Sequence, residues 1–285
     1  MKTTEAPPST QKKGRRRGPL PNFFIIGAMR SGTTSLARYV GAHPGVFMAP
    51  EKEVHFFDRH HDRGLDWYRS RFAGHAGQPA VGEATQTYLF LPDVPAKIAA
   101  VVPDAKLIAI LRNPVDRAYS HFWMNRSLRT ESREAAAALT ADPAKAGGGP
   151  SFPYLDRGRY LPQLQRVCEH FSRDALQVLL FEDLLARPEE TFGAVCTFLG
   201  VDPAVRPDNL GRQINKNVAF RSIRVRDFAR KLPAPVATVI GRLNRKPFSY
   251  PRIDPALRRE LSARFTEDNA RLAAWLGRDL SIWDR

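Results

Sequence analysis

Cysteine is scarce: among 285 residues only Cys168 and Cys196 occur, and neither falls in a metal-ligand or redox spacing. Both are expected to be small core residues, and nothing in their number calls for an oxidising compartment. Long apolar runs are missing as well, none approaching the roughly 18 residues that cross a bilayer. A weak imitation of a secretion signal, Arg15 to Arg17 followed by Phe23 to Met29, is interrupted by Pro19, Pro21 and Asn22. No transmembrane segment is expected, and a cytoplasmic protein is. Acid is short too, 29 Asp and Glu against 44 Lys and Arg, which leaves a net charge of +15. Lys2, Lys12, Lys13, Arg15, Arg16 and Arg17 stand against Glu5 near the start, so most of the excess lies in the rest of the chain. Such a balance suits an anionic ligand, nucleic acid or an acidic membrane surface, and composition alone does not choose among them.

What is present is ordinary for a globular chain, 43% hydrophobic and 26% charged, with enough length for one large core. Residues 1–18 are polar, basic and rich in Pro and Gly and read as a disordered leader; residues 19–285 read as a single domain. Apolar runs at Phe23 to Ile26, Ala80 to Glu83, Leu107 to Leu111 and Val178 to Phe181 predict four strands separated by helices. The expected fold class is therefore α/β, a three-layer arrangement with a central parallel sheet flanked by helices and ligands beyond the carboxyl ends of the strands. Residues 141–153, with Pro143, Gly147 to Pro150 and Pro153, predict a flexible loop over that edge, and Pro255 to Leu276 predicts one final helix with Leu257, Leu261, Phe265, Leu272 and Leu276 inward.

The segment Phe23 to Leu36 reads as buried strand, glycine loop and helix start. Glycine lets the backbone approach a ligand closely, and a helix N-terminus attracts anions; the hydroxyls of Ser31, Thr33, Thr34 and Ser35 add donors. Gly27 and Gly32 have the spacing of a phosphate-binding P-loop, but Thr33 stands where a nucleotide triphosphatase carries lysine, and the cation has moved to Arg30. A second anion signal is Leu111 to His121. A strand there ends in Arg112, a helix opens at Pro114, and Ser120 lies two turns in, so guanidinium and hydroxyl converge on one phosphate. Two anion sites on neighbouring strand-to-helix turns imply one ligand with two separated phosphate-like groups. A nucleotide kinase stays open as an alternative, against Thr33 and the non-acidic end of Leu107 to Leu111. A non-catalytic basic module for nucleic acid stays open as well, against the lack of a groove-reading motif.

With these residues in view, the chain from about 21 to 284 resembles sulfotransferases that use 3′-phosphoadenosine 5′-phosphosulfate (PAPS), a family with a P-loop-like fold. Gly27 to Ser35 is similar to the family's 5′-phosphosulfate loop, and Leu111 to His121 to its 3′-phosphate strand and helix. Lys52 to Asp58, Gly64 to Tyr68, Val81 to Glu83 with Tyr88, and Phe181 to Leu184 with Phe198 to Gly200 are similar to heparan-sulfate-type members. The resemblance implies PAPS as sulfuryl donor without a metal. Arg30 then takes the place of the loop lysine, Arg112 and Ser120 hold the 3′-phosphate, and Arg221 comes from a loop that closes on the cofactor. Two carboxylates compete as base for the acceptor proton, Glu53 ahead of Glu83, with His55 as helper. Ala84 stands where many heparan-type members have lysine, which shifts work to Arg30. No histidine stands at Ala84 or Thr85, where the aryl-acceptor branch has one; the expected acceptor is thus a carbohydrate or another aliphatic hydroxyl, glycan or small molecule, and no specific nucleic acid.

Two bland readings stand beside these. His55, His60 and His61 with Asp58 and Asp62 invite a metal, although polar clusters in loops are more often solvated, and no metal is expected. Trp67 and Tyr68 line either an acceptor pocket or the core.

Overall fold

The computed structural model describes residues 17–141, 152–211, 218–220, 222–229, 232 and 234–284. The first half of the chain runs β1 (Phe23–Gly27), α1 (Thr33–Val40), β2 (Val46–Met48), α2 (Phe56–Arg59), α3 (Gly64–Arg69), β3 (Ala80–Ala84), α4 (Val94–Val101), β4 (Lys106–Leu111), α5 (Pro114–Ser127) and α6 (Ala135–Thr140). The second half runs α7 (Tyr160–Cys168), β5 (Leu176–Leu180), α8 (Phe181–Ala186), α9 (Pro188–Leu199), β6 (Val218–Phe220), α10 (Ile223–Ala229), α11 (Ala234–Leu243), β7 (Arg245–Pro247), α12 (Pro255–Ala263) and α13 (Thr266–Leu276).

Five strands form one parallel sheet in the order β2-β3-β1-β4-β5. Its central strands are apolar on both faces because both are covered. Phe24, Ile26, Leu107 and Ala109 pack under α4, α7 and α13 through Ile98, Leu164 and Leu272, whereas Phe23, Ile25, Ile108 and Ile110 pack under α1 and α9 through Leu36, Phe192 and Val195. This is the P-loop-like three-layer architecture expected from the sequence. The chain leaves β1 towards β2 and β3 on one side and returns through β4 on the other, so the sheet's switch point lies at the carboxyl ends of β1 and β4, where open α/β sheets bind ligands. The register of β1 against β4 shifts between Ile25 and Gly27 as the strand enters the glycine loop.

Three expectations are corrected. Val46–Met48 is an edge strand that its three-residue length hid, and Phe181 opens α8 rather than ending β5. The expected helix Pro255 to Leu276 is two helices, broken at Arg264 and Phe265 so that Leu257, Leu261 and Phe265 pack on α5 while Leu272 reaches the sheet. Most of the expected leader (1–16) and of the loop at 141–153 (142–151) lies outside the described residues. Among the described residues no helix is long and apolar enough to cross a membrane.

Candidate functional site

The loop between β1 and α1 turns on two left-handed residues, Arg30 at φ 69° and Gly32 at φ 95°. At Gly32 a Cβ would stand 2.6 Å from Cδ2 of Phe181, so the position takes glycine for conformation and for space alike. Ser31 is fully buried, its N–H donating to the Ala28 carbonyl at 3.2 Å. Thr33, Thr34 and Ser35 form the first turn of α1, with no acidic side chain there to oppose an anion.

On the neighbouring strand, Asn113 caps α5 by accepting from the N–H groups of Val115 (2.9 Å) and Asp116 (3.2 Å), and Pro114 follows at the first helical position. That cap aims Arg112 and Ser120 at the glycine loop. Arg30 Nε donates to Ser120 Oγ at 3.0 Å, Arg112 Nη1 donates to the Arg30 carbonyl at 3.3 Å, and the Arg112 guanidinium lies 5.0 Å above the Phe181 ring. A cavity of about 310 Å³ opens here, lined by Arg30, Gly32, Thr33, Thr34, Ser35, Arg112 and Ser120 together with Gln86, Phe181 and Tyr250. Its described lining holds two arginines and no acid. Burial lowers the Arg30 pKa and Arg112 adds to that, while Tyr250 opposes it; arginine stays charged in such a setting. Arg30 and Arg112 share one cavity with hydroxyls and a helix N-terminus, a seat for two anionic groups. Arg221 lies outside the described residues.

Glu53 and His55 sit on the loop before α2, both with left-handed backbones, φ 66° and 55°. Glu53 N–H donates to the Ala84 carbonyl at 3.3 Å, which ties the loop to the end of β3. His55 bridges two carboxylates, Nε2 3.1 Å from Glu53 Oε2 and Nδ1 2.9 Å from Asp58 Oδ2. Asp58 is itself buried and accepts from Thr87 Oγ1 at 2.8 Å. Burial disfavours a charged imidazole, yet the hydrogen bonds and charges of Asp58 and Glu53 outweigh it and lift His55 to about 9. Burial would raise the Glu53 carboxyl; His55 and Lys52, whose Nζ is 3.2 Å from Oε1, reverse that and hold it low. Glu53 is thus an anion at neutral pH, gripped by an imidazolium. A second hollow of about 440 Å³, lined by Thr34, Lys52 and Ala84 among others, adjoins the first at Thr34.

Glu83 is placed differently. It is fully buried in β3 and accepts from Tyr68 (2.6 Å), Thr85 (2.7 Å) and Tyr88 (3.3 Å) hydroxyls, and burial pushes its carboxyl up to about 7. Like Glu53 and His55, it is not among the residues that line the cavity; Thr85 Oγ1, which donates to it, also accepts from the His55 N–H at 3.4 Å. Tyr68 therefore belongs to the core, while Trp67 lies half-buried with Arg63 and Arg71 over its ring. Sequence reasoning missed Asp58 as the partner of His55, although their three-residue spacing on a helix start was a signal. It also missed Tyr250, Gln86 and Phe181 in the cavity lining; Tyr250 arrives from 130 residues beyond Ser120 without any local motif.

A parallel sheet flanked by helices, with a cationic, hydroxyl-lined cavity at its switch point, is a P-loop-like three-layer fold. Residues 20–246 match the sulfotransferase domain, and the chain belongs to the sulfotransferase family. It is 29% identical over 285 residues to human heparan sulfate glucosamine 3-O-sulfotransferase 3A1, covering 98% of this chain and 67% of that protein. It is 29% identical over 266 residues to human heparan sulfate glucosamine 3-O-sulfotransferase 3B1, covering 93% of this chain and 65% of that one. The chain thus spans about two thirds of the length of these relatives. The crystal structure of a sulfotransferase from Alicyclobacillus acidocaldarius superposes with a TM-score of 0.73 at 31% identity, over 93% of this chain and 99% of that one.

Proposed function

We propose that the protein transfers a sulfuryl group from PAPS to a hydroxyl of a carbohydrate acceptor. The observation that carries this reading is the convergence of Arg30, Arg112 and Ser120 with the α1 N-terminus in one cavity. The donor fits on the chemistry of the residues: two anion seats on adjacent strand ends match its 5′-phosphosulfate and 3′-phosphate, and the two arginines face no acid in the described lining. When bound, PAPS supplies an activated sulfuryl group.

The protein's own residues supply the rest. Thr33, Thr34 and the first N–H groups of α1 orient the 5′-phosphosulfate end, and Arg112 with Ser120 anchors the 3′-phosphate. Arg30 reaches between the two seats and stabilises negative charge that builds on the leaving phosphate. Glu53 Oε1 or Oε2 takes the acceptor proton, while His55, braced by Asp58, positions the carboxylate. Glu83 holds the hydroxyl network under that loop from within the core. The hollow beside Thr34 and Lys52 is the acceptor side. The similarity to heparan sulfate sulfotransferases supports a sugar hydroxyl as acceptor.

The test is a thermal-shift comparison of adenosine 3′,5′-bisphosphate with ATP plus magnesium, then transfer from PAPS to desulfated heparan-type oligosaccharides. Selective stabilisation by the bisphosphate, abolished in Arg112→Ala, with sulfated sugar product, is expected. Stabilisation by ATP with magnesium alone overturns the reading in favour of a kinase.

A further inference from the structure

The helical pair α10 and α11 stands outside the site and is joined to the rest at its base. There β6 pairs antiparallel with β7, Val218 opposite Pro247 and Phe220 opposite Arg245. Buried Asn244 closes the clamp, its Oδ1 accepting from the Ser222 N–H at 2.8 Å and its Nδ2 donating to the Ser222 carbonyl at 2.7 Å. Beyond this clamp the helices show large apolar side chains to solvent: Phe228 is 60% exposed on α10, and Val236, Val239 and Leu243 are 47%, 58% and 73% exposed on α11. Positions 236, 239 and 243 share one face of α11, as 225 and 228 do on α10. Five of the eight exposed large hydrophobics among the described residues fall in this one pair of short helices. Residues 221–246 also carry eight cations against the single acid Asp227, and Arg224 and Arg242 are exposed beside the apolar positions.

Charge and apolarity together select the occupant. Nucleic acid would take the cations and leave valine, leucine and phenylalanine in water. A second copy would cover the apolar face but set eight cations against eight. An anionic phospholipid surface satisfies both, with acyl boundary for the apolar side chains and headgroup phosphates for arginine and lysine. We propose that the α10–α11 hairpin docks the protein in the plane of an anionic phospholipid membrane. The mode is interfacial, because a ten-residue helix extends about 15 Å against a hydrocarbon core of about 30 Å. Tyr250, three residues past β7, lines the main cavity, so a short stretch of chain ties the hairpin to it.

The experiment is flotation of the full chain with phosphatidylcholine vesicles, with and without phosphatidylglycerol. Wild type is expected to float only with the anionic lipid. Phe228→Ser/Val239→Ser/Leu243→Ser should lower partitioning about tenfold or more by removing apolar area from the acyl boundary, without moving the unfolding temperature or the bisphosphate shift. Arg224→Gln/Arg242→Gln should lower it about thirtyfold on its own, at about 1 kcal/mol per charge. Neutralising the leader by Lys12→Gln/Lys13→Gln/Arg15→Gln/Arg16→Gln should leave the hairpin-dependent part intact. The proposal falls if the apolar variant floats like wild type, or if the leader variant abolishes binding. It also falls if wild type is a dimer in solution that the apolar variant converts to monomer.

Discussion

Arg30 and Ser120, ninety residues apart in sequence, meet at 3.0 Å and join the glycine loop of β1 to the helix that follows β4. The two phosphate-type motifs therefore line one cavity, and Arg30 bridges them. Removing either end should be felt at the nucleotide. Ser120→Ala loses one hydrogen bond and Arg112→Ala a charged pair, so bisphosphate affinity is expected to fall about fivefold to tenfold in the first and about tenfold to a hundredfold in the second. Isothermal titration with adenosine 3′,5′-bisphosphate reads both.

The two candidate bases separate cleanly. Glu53 is ionised and partly exposed, whereas Glu83 is sealed under three hydroxyls. Glu53→Gln should cut turnover by about a hundredfold to ten-thousandfold while leaving bisphosphate affinity unchanged. Glu83→Gln should act on stability instead. The Glu83 carboxyl is raised from 4.5 to about 7 in the fold, so its contribution is fully present below about pH 4.5 and is lost as pH rises through about 7. The variant's unfolding temperature should depend less on pH across that window. A large loss of turnover in Glu83→Gln at unchanged stability would reverse the two roles.

His55 gives the opposite end of the pH scale. Its pKa is raised from 6.5 to about 9 because its charged form is held between Asp58 and Glu53. A pKa higher in the folded state means that protonation favours folding: the contribution is complete below about pH 6.5 and disappears as pH climbs through about 9. Wild type should lose unfolding temperature over that interval, and His55→Gln should show a flatter profile with a lower starting value. Turnover should fall with the same high-pH midpoint, since a neutral imidazole no longer fixes the Glu53 carboxylate.

The layered α/β fold and the motifs that come to line the main cavity could be read from the chain because their signals are local. Phe23 to Ile26 is apolar at every position, as a strand buried on both faces must be, and Gly27, Gly32, Arg112 and Ser120 lie within short motifs whose chemistry is set by spacing. Val46–Met48 was hidden because three residues carry no period. The break at Arg264 and Phe265 was hidden because Leu257 to Leu276 keeps helical spacing across it while its two halves pack against different partners. Asp58 read as one of several loop acids, and only the fold shows it buried against His55. Tyr250 required the whole chain to fold back on α5.

Gly32 is the most constrained position of the loop. With φ 95° and a Phe181 carbon 2.6 Å from any Cβ, Gly32→Ala meets strain and overlap at once. A cost of about 1–3 kcal/mol is expected from the left-handed backbone and the displaced ring. Because the Phe181 ring also carries Arg112, bisphosphate affinity should fall together with stability. Chemical denaturation with and without the bisphosphate measures both, and a variant with wild-type affinity would show that the loop tolerates a shifted Phe181.

Asn113 links the helix that carries Ser120 to Trp283. Its Oδ1 caps α5, its Nδ2 donates to the Trp283 carbonyl at 2.7 Å, and its own N–H donates to Glu182 Oε1 at 2.9 Å. Asn113→Ala removes the cap and leaves a buried carbonyl without its donor, at about 1–3 kcal/mol. Asn113→Asp keeps an oxygen for the Val115 and Asp116 N–H groups and loses the donation to Trp283. If the cap is what aims Arg112 and Ser120, the aspartate variant should retain bisphosphate affinity at reduced stability, while the alanine variant loses both. Equal affinity losses in the two variants would place the control of the seat in the contact with Trp283 instead.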